Sequence, residues 1–519
     1  MAYVLGVSSG MFMAASQEEK EQFLTIPRKI FRGGLEGVNF TQLDIESITE
    51  FVEPYLKQEA EKIRELGIRF GVHGESYAMG GMEKPISLLD SCIESNYLNA
   101  HIRLLQHIEG CGKIKAEYIN IHPSETPPFP RLSMHLQPTK LVDFYGRPLE
   151  KFLKENKDIL EWAAQQDFIN DIMRAQFRVP TEEDILEDLK RRYEVVNRKK
   201  PGILEEAELR IEAKKRRKET LETLLLNFVS TTDLAYGSER LAYYITAKWM
   251  QRHNDQLWKT IVGKNMRDKD LPELEKIRKW VPAVAAKYIW GHFNPKDPKY
   301  KDPKPLLEKY KIRFIFETQM GESGVEGLHR FSRPRDMIFL CKAIKSNWVG
   351  VCFDFEHVMS HNIDPKEEIE SIPFGMAKYI KVCHLGFPTP HVPAHMPIPY
   401  GSREQFYLYE RIFELRKKGF EDGWLIFERG AAGRGTSLLA MRKIKEFLEK
   451  DTVPKELPLS FYGLEEGAPD IKKQEVAIRE HALDPLRGVL AIPEEEFTFL
   501  SKAAVEKQKA KEWEAEKYK

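Results

Sequence analysis

Eight short, apolar, β-rich runs separated by helical stretches constrain the fold of this chain more than any other feature. They are residues 2–9 (AYVLGVSS), 37–43 (GVNFTQL), 69–75 (RFGVHGE) and 116–123 (AEYINIHP), then, after a long interval, 313–318 (RFIFET), 349–355 (VGVCFDF), 379–385 (YIKVCHL) and 424–430 (WLIFERG). Each is bounded by Gly, Pro or charged residues, the pattern of buried parallel strands. Amphipathic helices lie between them, such as ITEFVEPYLKQEAEKIRELG before the third run and SREQFYLYERIFELRKKG before the eighth. Eight strands in strict strand-then-helix order predict a closed (β/α)8 barrel, a TIM barrel. The alternative is a doubly wound open sheet, which does not require eight strands; no GxGxxG turn follows the first run.

The interval 124–305 is too long for a loop and carries its own helical pattern, so it reads as a mainly helical insertion between strands four and five. Residues 150–220 are almost continuously charged. Residues 222–261 are richer in apolar and aromatic side chains (LAYYITAKWM, QLWKTIVG) and are expected to include the barrel's fourth helix. The segment 292–305, HFNPKDPKYKDPKP, reads as a linker returning to strand five. This divides the chain into a catalytic barrel of residues 1–123 and 306–450, the insertion, and a C-terminal extension, 451–519, ending in a charged helix. The insertion leaves and re-enters the barrel beside strands four and five. Residues 145–290 are therefore expected to form a helical excrescence that shapes access to the catalytic face.

Bulk composition excludes several classes. Lys+Arg and Asp+Glu both number 80, so no overall basic bias draws the chain to nucleic acid or to an anionic membrane. No run approaches the roughly 18 apolar residues of a membrane span. The apolar N-terminus has no basic region before it and fits a buried first strand better than a secretion signal. Five cysteines without a CxxC pair suggest free thiols in a reducing compartment, so a cytoplasmic location is expected.

The C-terminal ends of barrel strands meet at one face, where active sites are built. Strand three ends at His73, strand four at His122 and strand five at Glu317. Strand six ends at Asp354, with His357 three residues on. Strand seven ends at His384, with His391 and His395 in the loop that follows, and strand eight ends at Glu428. Six consecutive strands thus present imidazole or carboxylate at one level. These are the ligands of zinc and similar divalent ions, and gathering them without a cation would bury several uncompensated charges. Any one of them could instead be an ordinary hydrogen-bonded strand-end residue.

His73 in FGVHGESY, His122 in YINIHP, Glu317 in FIFET, Asp354 and His357 in CFDFEH, His384 in KVCHLG, His395 in HMPIPYG and Glu428 in LIFERG resemble the strand-end motifs of endonuclease IV. That family, of the xylose isomerase-like barrel superfamily, cleaves DNA at abasic sites with a trinuclear zinc cluster. The resemblance covers roughly 1–123 and 311–450. It implies one ion on His73, His122 and Glu317, and a second on Glu317, Asp354, His384 and Glu428. A third would sit on His357 and His395 with an Asp two residues before His395. Here that position is Pro393, which cannot ligate; His391 or His361 is the substitute on offer. The cofactors expected are two or three zinc ions, with manganese as the alternative. Of the family's DNA-intercalating side chains, Tyr77 is the single candidate.

Two further features have competing readings. ERGAAGRGTS (428–437) could cradle a phosphate through Arg429, Arg434 and a helix N-terminus, or be an ordinary turn. KKRRK (214–218) could touch nucleic acid, although the glutamates around it suit a solvated or coiled-coil face.

The leading functional expectation is metal-dependent hydrolysis of a phosphodiester, in DNA or another phosphorylated substrate. Two ions bridged by Glu317 would polarise the phosphate and generate the nucleophile, with Glu317 and Glu428 as catalytic residues. The alternative is a sugar isomerase or epimerase of the same superfamily, using Glu317, Asp354, His384 and Glu428. A third is a non-catalytic scaffold assembling, as an oligomer, through the insertion.

Overall fold

The computed structural model describes residues 3–8, 38–45, 61, 64–65, 67–74, 85–124, 140–174, 176–230, 238–253, 256–263, 270–321, 330–386, 396–428 and 434–464. Eight parallel strands close a barrel in sequence order: β1 (Val4–Ser8), β2 (Phe40–Asp44), β3 (Arg69–His73), β4 (Tyr118–Ile121), β5 (Arg313–Glu317), β6 (Val349–Asp354), β7 (Ile380–His384) and β8 (Trp424–Phe427). β1 pairs with β8, Val4 opposite Trp424 and Val7 opposite Phe427, which closes the ring. The expected TIM barrel is the fold.

Strand alternation explains both layers of the core. Along β5, Phe314 and Phe316 point outward to the helices, whereas Ile315 belongs to an inner cluster with Phe40, Tyr118, Cys352, Val382, Trp424 and Ile426. Two residues further along the same inward faces, the side chains become polar: Gln42, Asn120, Glu317, Asp354, His384 and Glu428. These six strands therefore carry an apolar plug below and a polar residue above, a ligand type on β5 to β8 and an amide on β2 and β4. Gly71 is part of this plug, because the ring of Tyr118 occupies the space a Cβ would take.

The helices of the described residues are α1 (Glu94–Lys113), α2 (Leu149–Glu155), α3 (Lys157–Ala164), α4 (Asp167–Met173), α5 (Glu182–Asn197), α6 (Ile203–Ser230), α7 (Ser238–His253), α8 (Gln256–Val262), α9 (Glu273–Arg278), α10 (Val281–Phe293) and α11 (Lys304–Tyr310) before β5. After it come α12 (Pro334–Ile344), α13 (Phe355–Ser360), α14 (Pro365–Ser371), α15 (Arg403–Lys417) and α16 (Arg434–Glu449). None is long and apolar enough to cross a membrane.

The helix against the outer face of β5 is α10, not one within 222–261. Phe293 packs on Phe314 and Phe316, with ring centroids 5.5 and 5.8 Å apart. Its sequence, VPAVAAKYIWGHF, is apolar nearly all round because neighbours cover every side, so it lacks the stripe that marks a surface helix. The core runs without a break from the barrel helices into α2–α4 and α7–α10. Residues 292–305 are anchored at Tyr300, which is buried edge-on against Tyr97 and His101. After α16 the chain turns back and buries Phe461 between Tyr409 and Phe447. The expected charged C-terminal helix lies outside the described residues.

Candidate metal centre

At the C-terminal mouth, two sets of donors share one residue. One set is His73, His122 and Glu317; the other is Glu317, Asp354, His384 and Glu428, and within each set the donor atoms lie within 4.8 Å of one another. Cys352 forms a further group with Glu317 and His384. Glu317 is fully buried, and its two oxygens face different sets. Oε2 is 3.0 Å from His73 Nε2 and 3.5 Å from His122 Nε2. Oε1 is 2.8 Å from His384 Nδ1 and 3.3 Å from His357 Nδ1. His384 Nδ1 also lies 2.5 Å from Glu428 Oε2 and 3.3 Å from Asp354 Oδ2.

Hydrogen bonds fix which ring nitrogen is offered. An amide oxygen can only accept, so Nε2 of His384, 3.0 Å from Gln42 Oε1, carries a proton and leaves Nδ1 for the carboxylates. The Gln42 amide orientation is self-consistent. Its oxygen also accepts from the Tyr118 hydroxyl at 2.8 Å, and its nitrogen donates to Glu428 Oε1 at 3.2 Å. His73 donates from Nδ1 to the Gly74 carbonyl at 3.1 Å, which leaves Nε2 for the centre. His357 is held in the same manner. Its Nδ1 donates to the Thr318 carbonyl at 2.7 Å, which leaves Nε2 as the nitrogen on offer, and neither donor set among the described residues includes it.

The electrostatics show which charge the centre favours. Burial alone would push the imidazoles down, but the hydrogen bond and charge of Glu317, with Glu428 and Asp44, hold His73 up at about 9. His357 is pushed up to about 10 against burial by Asp354, Glu317 and Glu428. His384 is raised well above its ordinary value against burial, with Cys352, Glu317 and Glu428 as the causes. Burial would raise Glu317, yet the charges of His384 and His122 and hydrogen bonds from His122 and His357 hold it well below the usual carboxylate range. The cluster demands positive charge. The donor set (imidazole nitrogen with carboxylate oxygen) is the one that fits zinc or manganese.

The remaining sequence candidates divide. His361 is buried with its Nε2 facing the Gln319 carbonyl at 2.6 Å, and it belongs to no donor set among the described residues. His391, Pro393, His395, Tyr77 and Arg429 lie outside the described residues, as does the side chain of Arg434, the first residue of α16. The third ion site and the phosphate cradle therefore have no described geometry. Gln42, Asp44, Asn120 and Tyr118 carry no ligand motif and are added by the structure. Asn120 donates to Glu317 Oε2, and Ser8 donates to Asp44 at 2.7 Å. Their signal in the sequence is the alternation 40/42/44 and 118/120/122, which puts them on the same faces as recognised residues.

Beside His122, a buried ionic cluster joins the insertion to the catalytic face. Ser124, two residues on, donates to Asp90 Oδ2 at 2.7 Å. Arg330, from the segment after β5, lies 3.8 Å from Asp90 and 2.7 Å from Glu239 of α7. Tyr243 of α7 donates to the Asp90 carbonyl at 2.7 Å. Burial raises Asp90 to about 6 despite the nearby Arg330 charge. The KKRRK run, by contrast, lies on α6, where Arg216 pairs with Glu212 at 2.7 Å and Lys218 with Glu161 at 3.0 Å.

No family model and no curated protein matches the chain. Similar solved structures include a D-tagatose 3-epimerase-like protein, at 14% identity over 87% of this chain and 98% of that one, with a TM-score of 0.39. A 3-keto-D-glucoside 4-epimerase from E. coli matches at 8% identity over 86% of this chain and 99% of that one, TM-score 0.35. The catalytic domain of a β-amylase from Paenibacillus polymyxa matches at 11% identity over 88% and 99%, TM-score 0.38. Likenesses this distant, spanning epimerases and an amylase, carry no argument about chemistry; the closed ring of strands itself establishes the fold.

Proposed function

We propose that this chain is a divalent-metal-dependent enzyme with a bridged pair of cation sites, hydrolysing a phosphate ester. The observation that carries this reading is the division of Glu317, one oxygen toward His73 and His122 and the other toward His384. A centre needing a single ion has no use for the first set. Paired ions, when bound, would polarise a phosphate and favour in-line attack by water. The chain's own residues do the rest. Glu317 keeps the two sets in register, Gln42 orients His384 and Glu428, and the apolar plug closes the barrel beneath. Glu428, which keeps slight exposure at the rim, is the carboxylate best placed to hold or release a proton at the substrate.

A second reading, isomerisation or epimerisation of a sugar, is favoured by one observation. Glu317, Asp354, His384 and Glu428 complete a four-donor site by themselves. That chemistry moves a proton next to a carbonyl and needs carboxylate oxygens free to accept it. Both carboxylates suited to that role are engaged in the same way: Glu317 by His73 and His384, and Glu428 by Gln42 and His384.

Metal analysis of protein purified with zinc or manganese, together with two assays, separates the readings. Two equivalents of metal and hydrolysis of bis(p-nitrophenyl) phosphate or an abasic duplex, both lost in Glu317→Gln, are the expected results. One equivalent, with solvent deuterium entering a ketohexose, establishes the second reading. Absence of bound metal overturns both.

A further inference from the structure

All five cysteines are buried with free thiols. Cys92, Cys111, Cys341 and Cys383 belong to the core shared with the helices, where a cysteine serves as a small apolar filler. Cys352 is placed differently. It is part of the inner plug, and its thiol, one nitrogen of His384 and one oxygen of Glu317 lie within 4.8 Å of one another. Among the described residues it is the one cysteine in such a donor group.

The strand registers explain how a plug residue reaches the centre. Between β5 and β6, Glu317 pairs with Cys352 and not with Asp354 at the strand end, so carboxylate and thiol stand side by side on the inward face. Between β6 and β7 the register slips at Val351/Cys352, which sets Cys352 beside Val382 and Asp354 beside His384. Cys352 thus lies one inward step below Asp354 and next to the carboxylate that serves both donor sets. Packing alone is served there by hydrocarbon, as at Ile315, Val382 and Ile426.

Building on the bridged metal centre, we propose that Cys352 is a thiol donor at the base of the four-donor set and biases that set toward zinc over manganese. Glu317 and His384 belong to both groups, so the thiol joins donors already present. Zinc accepts thiolate together with imidazole and carboxylate, whereas manganese favours oxygen ligands. On binding, the Cys352 S–H bond breaks, a sulfur–metal bond forms and the proton leaves to solvent.

Cobalt(II) added to the full-length, EDTA-treated protein tests this. A thiolate ligand gives cobalt an intense near-ultraviolet charge-transfer band, while weaker visible bands report bound cobalt whatever its ligands. Wild type is expected to show both. Cys352→Ser should lose the near-ultraviolet band and keep the visible ones, and zinc–manganese competition should show its preference for zinc reduced at least about tenfold. Cys352→Val, which keeps the plug apolar, should match Cys352→Ser in both readouts, separating loss of a donor from loss of packing. The wild-type spectrum decides the matter even where a variant folds poorly. Visible bands alone in wild type overturn the thiol ligand and leave the metal centre standing. A near-ultraviolet band that survives Cys352→Ser belongs to another cysteine and also overturns the proposal, and an unchanged zinc preference overturns the selectivity. Absence of both bands in wild type overturns the metal centre and the thiol ligand with it.

Discussion

Gln42 and His384 stand on strands three apart around the barrel, yet the amide oxygen of one lies 3.0 Å from Nε2 of the other. This contact turns Nδ1 of His384 toward Glu317, Asp354 and Glu428, and the same amide reaches Glu428 through its nitrogen. Outer partners of this kind set the tautomer of a ligand and typically carry about 10–100-fold of metal affinity. Gln42→Leu should therefore weaken binding at the four-donor set by about that factor. Isothermal titration with zinc should show one step weakened and the His73–His122 step retained. Equal weakening of both steps would mean that Gln42 acts on the barrel as a whole.

Glu317 and His357 are adjacent but differ in what they hold. Glu317 serves both donor sets, whereas His357 belongs to neither set among the described residues. Glu317→Gln should reduce bound metal and lower turnover by more than the roughly 100-fold ceiling of an outer-shell change. His357→Ala should leave both equivalents in place and cost activity modestly. Loss of metal from His357→Ala would show that its Nε2 completes a third site with residues beyond those described.

The pH dependence follows from the direction of the shifts. Without metal, His73 and His357 titrate at about 9 and 10, and His384 is also raised, all above the roughly 6.5 of an unfolded histidine. Their charged rings thus stabilise the metal-free fold fully below about pH 6.5, and that contribution is lost as pH rises through 9 to 10. Glu317 is depressed, so its contribution is present above about pH 4.5 and lost as pH falls through its folded value. A cation must displace the imidazole protons, so its affinity rises over the same alkaline window. Calorimetry with EDTA and with zinc should show a gap in Tm that widens from pH 6 to pH 9. A gap independent of pH would mean that the histidines are not the ligands.

Much of this is legible in the sequence, and the reason is geometric. Inward faces repeat every second residue, so an apolar residue two places before a strand end and a ligand type at that end mark a barrel mouth, as with Ile315 and Glu317. Asp44 is missed when β2 is read as ending one residue early. Gln42 and Asn120 are missed because amides are not metal ligands, and their role appears once their partners are in place. α10 is missed because a helix buried all round has no amphipathic stripe. No sequence pattern announces that the His357 and His361 rings are turned onto the carbonyls of Thr318 and Gln319.

Arg330 offers a test of how the insertion is tied to the barrel. It is buried with Asp90 and Glu239, and Asp90 in turn accepts from Ser124, two residues beyond His122. Removing the single cation from such a cluster leaves two buried carboxylates without compensation, which costs about 3–5 kcal/mol. Arg330→Met should be destabilised by about that amount in urea unfolding. Asp90→Asn/Glu239→Gln/Arg330→Met, which removes all three charges, should recover most of the loss, since buried ion clusters replaced as a unit are often near neutral in stability. The milder Glu239→Gln keeps Arg330 and Asp90 in place and loosens the link to α7 alone. If that link steadies the strand end bearing His122, Glu239→Gln should weaken zinc at the His73–His122–Glu317 set and spare the four-donor set. Identical zinc titrations for Glu239→Gln and wild type would confine the cluster to holding the insertion in place.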